Sequence, residues 1–372
     1  MKKIKMFMVA GFTALLPVFG PVVEACTGTT IRATNGDVVF CRSMEWDDGF
    51  VPSEILVSPR HCTYRAHMPE LMPGLSWKGQ YGVAGLAIAI TSVNAYIDGM
   101  NEKGLTVGGF YHEGFAEYAN YSQENAERSI SSLDVISYLL STCANIDEVH
   151  KALEKVEVVY TGKTVLGIEA PLHYMVTEPG GKQVVIEWKE GKPKFFDSKL
   201  GVIANSPTYD WHVLNVGNYI GLPSIEVQKR KMEHQMISAL DAGTDLIGLP
   251  GDFTSPSRFV RASILTNYVR RTPDAKEAIY QAFQIMDSFN SPIYKDAVLK
   301  EGSKKSRSET SWTLAHDLTN RAFYYHTAND RMVQKVDVAQ INFGKLVKQV
   351  HRDLDKDEMT ILDRTGEISE GL

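Results

Sequence analysis

Strand-like and helix-like patterns come in separate blocks along this chain, and that order constrains its architecture more than any other feature. Thr27 to Ala33 and Asp37 to Arg42 are β-rich runs joined across Asn35-Gly36, a pair that favours a tight hairpin turn. Glu54 to Ser58 and the apolar run Gly82 to Ile90 read as further strands, and a hairpin turn is expected at Asn101 to Gly104. Apolar residues at helical spacing follow over 132–142 and 146–156, with Ser131, Asp134 and Asn145 placed as caps. Leu172 to Thr177, Val184 to Lys189 and Lys194 to Asp197 form a meander divided by turns at Pro179-Gly-Gly181 and Glu190-Gly191. Helical patterns return over 258–270 and 274–288, then strands near 311–326. A parallel α/β fold would interleave its strands and helices one by one. Blocks of each predict an α+β layered fold.

The first 25 residues read as an address. Lys2, Lys3 and Lys5 precede an almost wholly apolar stretch from Met6 to Phe19, and Val23-Glu24-Ala25 stands before Cys26. This is the pattern of a secretory signal peptide. The apolar run is short of the roughly 20 residues that span a bilayer, and Pro17, Gly20 and Pro21 break its end. Cleavage after Ala25 would take the chain from 372 residues to 347. It would remove three lysines and one glutamate, moving the formal charge from -6 to -8. The expected product is exported, periplasmic or secreted, with no later segment apolar enough to cross a membrane.

That cut would leave Cys26 with a thiol and a free α-amine on one Cα. Two chemistries want such a cysteine. A lipoprotein would carry it acylated as a membrane anchor, a signal to which Val23 and Ala25 conform loosely and Glu24 poorly. An N-terminal nucleophile would use the amine as base for its own side chain. The hairpin puts Cys26 at the free end of a strand and can fold Arg42 and Glu45 back beside it. A guanidinium near a thiol favours thiolate, and a carboxylate near an amine holds its protons.

Composition narrows the class of function. With 44% hydrophobic and 23% charged residues, the chain has the means to bury a core. Lys and Arg number 39 against 45 Asp and Glu, without long like-charge runs, which argues against a nucleic-acid partner held through phosphates. His112, His150, His173 and His212 lack metal-gathering spacing, and no His-Glu-x-x-His or paired Cys-x-x-Cys is present, so no metal is expected. Gly108-Gly109 and Gly180-Gly181 lack a phosphate-loop context, and no nucleotide cofactor is indicated. Cys41, Cys62 and Cys143 remain beside Cys26, to be placed as one disulfide plus a thiol or as three buried thiols.

Five blocks together resemble the choloylglycine hydrolases, the family of bile salt hydrolases and penicillin V acylases. They are Cys26-Thr-Gly28; Arg42 with Glu45-Trp46; Asp98-Gly-Met-Asn-Glu-Lys-Gly-Leu105; Asn205-Ser-Pro-Thr-Tyr-Asp-Trp-His212; and Gly251-Asp-Phe-Thr-Ser-Pro-Ser-Arg-Phe-Val-Arg261. Their order and separations match the family over most of the chain after residue 25. The resemblance implies a four-layer αββα sandwich of two antiparallel sheets flanked by helices, formed as a single domain over 26–372. It implies Cys26 as nucleophile through an unmasked α-amine, and Arg42 beside the thiol. Asn205 would direct its NH2 at the oxyanion, and Arg258 would hold the site's carboxylate and asparagine. His212 is then structural, because the amine fills the role of base.

Two departures bear on the substrate. Glu45 stands where many relatives carry Asp, adding a methylene to its contact with the Cys26 amine. Tyr111 stands where many intestinal bile salt hydrolases have Asn and penicillin V acylases have Tyr. Trp46, after the carboxylate, resembles exported relatives from Gram-negative bacteria. Tyr111 and Trp46 are therefore candidate substrate-binding residues. The expected activity is hydrolysis of a non-peptide amide with a bulky apolar acyl group. Conjugated bile salts lead, with penicillin V and acyl-homoserine lactones as alternatives and a lipidated binding module as the reading from another class. The resemblance also implies a homotetramer.

Overall fold

The hairpin after Cys26 opens the first of two antiparallel sheets. The computed structural model describes residues 26–46, 52–69, 72–89, 95–162, 169–222, 229–239, 243–291, 309–354 and 365. The stretch read as a signal peptide lies outside these residues. β1 (Thr27–Arg32) and β2 (Val38–Trp46) pair from Thr27 with Ser43 to Arg32 with Val38. Ala33 N donates to Asp37 O at 2.9 Å to close the turn over Asn35-Gly36.

The sheet elements that follow are β3 (Ser53–Ser58), β4 (Val83–Ile88), β5 (Tyr96–Asn101) and β6 (Thr106–Tyr111). Then come α1 (Val135–Thr142), α2 (Ile146–Leu153), β7 (Leu172–Thr177), β8 (Gln183–Lys189) and β9 (Lys192–Asp197). α3 (Tyr209–Val216), α4 (Ser255–Tyr268) and α5 (Ala275–Asp287) lead to β10 (Glu309–Asp317), β11 (Ala322–Thr327), β12 (Gln334–Asp337) and β13 (Val350–Asp353). The first sheet runs β1-β2-β10-β11-β12, and the second runs β9-β8-β7-β6-β5-β4-β3-β13.

α4 packs on β1 and α5 on β2 and β10, while α1 packs on β5 and β6. Two helix layers thus flank two antiparallel sheets, which is the expected αββα sandwich. Side chains in a strand alternate between faces, and the core divides accordingly. On β8, Val184, Ile186 and Trp188 join the α1–α2 cluster, whereas Val185 joins the cluster that holds Phe40, Phe110 and Leu314.

Local signals fare well where caps are involved. The Ser131–Asp134 capping box is present, and the side chains of Asn145 and Asp274 accept from Glu148 N and Glu277 N. The first helical pattern begins as a 3-10 turn, Ser132–Asp134, before α1. The pattern assigned to 258–270 starts earlier, at Ser255, and the run 311–326 is a hairpin of two strands. None of the four cysteines is in a disulfide, which corrects the first cysteine expectation and agrees with the reduced thiols of the second; Cys26, Cys41 and Cys143 are buried, but Cys62 is only half-buried.

Candidate active site

The Cys-Thr-Gly block is shaped by what each residue meets. Gly28 forms a bridge with Ile203, N to O at 2.8 Å and 2.9 Å in the two directions, which brings residues 203–205 alongside the start of β1. A Cβ on Gly28 would lie 3.0 Å from carbons of Ile203, Phe110 and Phe40 alike, so a larger residue requires those three side chains to give way by a few tenths of an ångström. Thr27 turns to the helix layer, where its Oγ1 accepts from Arg258 Nη1 at 2.6 Å. The Cys26 side chain turns the other way, with Sγ 3.6 Å from Met44 Sδ.

Asn205 joins the two ends of the site. Its Oδ1 accepts from Cys26 N at 2.7 Å and from Arg258 Nη2 at 2.7 Å. Two donors on one atom fix the amide orientation, so Nδ2 is the remaining group. Nδ2 donates to Tyr111 O at 2.9 Å and has a second hydrogen for another acceptor. Two buried imidazoles hold the backbone here: His173 Nε2 lies 2.8 Å from Ala204 O, and His212 Nε2 lies 2.9 Å from Asn205 O. Burial lowers His173 to about 3 and His212 to about 4. Both are neutral near pH 7 and donate through Nε2.

Arg258 occupies the first turn of α4, a segment folded by its neighbours. Asp252 accepts from Thr254 N at 2.9 Å and Ser257 Oγ at 2.7 Å, and Arg261 Nη1 holds Pro250 O at 2.7 Å. Hydrogen bonds from Thr254 and Ser257 keep the Asp252 carboxyl at about 2. Arg258 itself donates to Phe253 O at 2.9 Å, to Cys26 O, to Thr27 and to Asn205.

Arg42 and Glu45 are three residues apart on one strand and therefore face opposite layers. Arg42 enters the space between the sheets, donating through Nη1 to Gly109 O at 2.7 Å and lying 4.2 Å over the Phe110 ring. Its Nη2 is 3.6 Å from Met44 Sδ, so the Met44 thioether touches both the guanidinium and the Cys26 thiol. Nothing in the linear chain marks Met44 for that position. Glu45 faces the side of Arg258, and its Oε1 accepts from Thr310 Oγ1 at 2.9 Å. Thr310 is the direct cross-strand partner of Glu45, next to a register shift between Thr310 and Trp312. Burial raises the Glu45 carboxyl to about 7, with Arg258 opposing most strongly. Among the described bonds, the Cys26 nitrogen donates to Asn205 Oδ1.

Tyr111 ends β6 half-buried, its hydroxyl 3.5 Å from Glu169 O. Trp46 ends β2, and its side chain lies outside the described residues. Among the described residues, His112, His173 and Glu187 gather three potential metal-ligand atoms, which histidine spacing did not reveal. The two imidazoles are stacked, 4.1 Å apart and 11° from parallel. A metal bound in the plane of one ring would lie out of the plane of the other, and Glu187 Oε1 already accepts from Tyr209 N at 2.7 Å. The cluster is a poor metal site.

This arrangement offers a thiol, an amide donor with a hydrogen to spare and two buried guanidiniums at one strand end. Residues 26–360 match the model of the linear amide C–N hydrolases, choloylglycine hydrolase family. The chain belongs to this family. It is therefore a linear amide hydrolase. The bile salt hydrolase/transferase of Clostridium perfringens is 31% identical over 326 residues, 85% of this chain and 93% of that protein. The conjugated bile acid hydrolase of Lactobacillus gasseri is 26% identical over 324 residues, 87% and 99% of the respective chains.

Among solved structures, a variant of the conjugated bile acid hydrolase from Clostridium perfringens superposes with a TM-score of 0.79 at 25% identity, covering 91% of this chain and 99% of that one. Penicillin V acylase from Agrobacterium tumefaciens shares the fold, with a TM-score of 0.69 at 22% identity and coverage of 91% and 94%. Choloylglycine hydrolases thus supply the framework in which the site of this chain is read.

Proposed function

We propose that the chain deconjugates bile salts, releasing glycine or taurine by attack of Cys26 on the amide carbonyl. The observation that carries this reading is Asn205 held between Cys26 N and Arg258 with an N–H to spare. Sγ forms the new C–S bond, and the carbonyl electrons move onto oxygen, where the free N–H of Asn205 meets them. An oxyanion donor of this kind is worth about 2.7–4 kcal/mol. Collapse expels the amine, which takes the proton that the Cys26 α-amine removed from the thiol. Water then attacks the thioester and frees the acid.

The α-amine arises by cleavage after Ala25, so export and activation are one event, and residues 26–372 act as one domain. The bile-acid activities printed for the Clostridium and Lactobacillus relatives support the choice of substrate. Penicillin V hydrolysis is the second reading. It rests on Tyr111, an aromatic residue whose backbone carbonyl accepts from Asn205 Nδ2 and whose hydroxyl reaches toward Glu169 O.

The test is an intact mass and N-terminal sequence of the exported protein, with ninhydrin detection of amino acid released from conjugated bile salts. A Cys26 terminus and release abolished by Cys26→Ala is the expected result. A free terminus with phenoxyacetate released from penicillin V, and no glycine or taurine, moves the assignment to the acylase. A blocked, lipid-bearing terminus overturns the nucleophile.

A further inference from the structure

The Asp98 block is the one sequence signature that the chemistry above leaves unused, and its aspartate is built into the centre of the sandwich. Asp98 on β5 is fully buried and meets two residues of the opposite sheet. His316 Nε2 on β10 lies 2.6 Å from Oδ1, and Arg42 Nη1 on β2 lies 3.5 Å from Oδ2. The second sheet makes room for the carboxylate: a Cβ on Gly108 would fall 2.2 Å from Asp98 Oδ2. His316 is stacked against Phe40 and edge-on to Phe323, and its Nδ1 is buried without a partner. A proton on Nδ1 would be an unsatisfied buried donor, so the imidazole serves Asp98 through Nε2–H.

We propose that Asp98 and His316 are positioning residues that set how much of the Arg42 charge reaches the Cys26 thiol. The inference rests on Cys26 being the nucleophile. The short His316 bond draws the carboxylate's charge toward Oδ1, leaving Oδ2 at a loose 3.5 Å from the guanidinium. Arg42 is then free to anchor on Gly109 O and turn Nη2 to Met44 Sδ, the atom that also touches Cys26 Sγ. The other charged groups of the site are Glu45 on β2 and Arg258 on α4, which bonds the carbonyl of Cys26. Removing the His316 donor lets the carboxylate close on Arg42 and cancel its charge. Removing the charge of Asp98 leaves the guanidinium undamped. The two changes act on the thiol with opposite signs, which a merely structural role for the pair would not produce.

The experiment measures the pH dependence of Cys26 alkylation by iodoacetamide, read by mass, in the cleaved enzyme and in His316→Leu, His316→Gln and Asp98→Asn. Folding is followed by circular dichroism. The expected result is a thiol titration moved up by about one unit in His316→Leu, a tenfold slower alkylation at neutral pH, with kcat lowered and KM little changed. Asp98→Asn moves the titration down. His316→Gln, whose Nε2 can occupy the donor position, stays close to the parent. Should His316→Leu be poorly folded, the downward shift in Asp98→Asn against an unmoved His316→Gln decides. Titrations that shift together, or not at all, overturn the proposal. Failure of the parent Cys26 to alkylate instead removes the nucleophile reading itself.

Discussion

Cys26 N donates to Asn205 Oδ1 at 2.7 Å, joining residues 179 positions apart in the chain. The same oxygen takes Arg258, so one amide sets Cys26, Arg258 and its own remaining N–H in register. Asn205→Ala should lower kcat about 100- to 1000-fold with a smaller change in KM. Steady-state kinetics on a glycine conjugate measure it. A matching rise in KM at constant kcat would place Asn205 in ground-state binding instead.

Arg258 spends its donors on Phe253 O, Cys26 O, Thr27 and Asn205. A lysine ammonium cannot reproduce that planar fork. Arg258→Lys should therefore lose most activity. Arg258→Leu should in addition lose about 1–3 kcal/mol of stability, because Cys26 O and Phe253 O lose their donor inside the fold. Urea unfolding of the two variants separates these effects.

Glu45 titrates near 7 in the folded chain because it is buried. An acid whose folded-state pKa lies above its unfolded value of 4.5 binds its proton more tightly when folded. Its contribution to stability is complete below about 4.5 and is lost as pH rises through about 7. Glu45→Gln should therefore gain stability relative to the parent between pH 5 and about 8, the gap widening with pH. Urea midpoints across that range test the sign.

The histidines behind Asn205 predict the opposite limb. His212 is held at about 4 against an ordinary 6.5, so its contribution is complete above 6.5 and is lost as pH falls through about 4. His212→Gln keeps a donor for Asn205 O and removes the titration. Its acid-unfolding midpoint, followed by near-ultraviolet circular dichroism, should move to lower pH while kcat at neutral pH is largely kept.

Gly28 is closed in by three side-chain carbons at 3.0 Å. Gly28→Ala should destabilise the fold by about 1–3 kcal/mol and displace Cys26 relative to Asn205. A stable variant with parental kcat would show that Ile203, Phe110 and Phe40 can give way.

Much of this was legible in the linear chain. Alternation and turn residues marked the first hairpin and the β7–β9 meander, and Ser131 with Asp134, and Asn145, act as helix caps because capping is a local interaction. The Cys26, Arg42, Asn205 and Arg258 blocks, singled out through the family resemblance, lie around one strand end. What lay beyond the sequence involves distant partners. Arg42 and Glu45 looked like a pair and are turned to opposite layers, because residues three apart on a strand cannot share a face. His112 and His173 showed no ligand spacing and nonetheless stack, since β7 and β6 are neighbours in the second sheet.

The sequence by itself determined the α+β class and the helix caps, which follow from propensity and periodicity, while the layer order and the candidate site residues came from the family resemblance. Only the tertiary structure decided how they act. Strand register sets Thr310 opposite Glu45, and packing of one sheet on the other places Asp98 between Arg42 and His316, 218 positions from the latter in sequence. Such contacts arise from register and sheet packing, which depend on the whole chain at once and leave no mark on neighbouring residues.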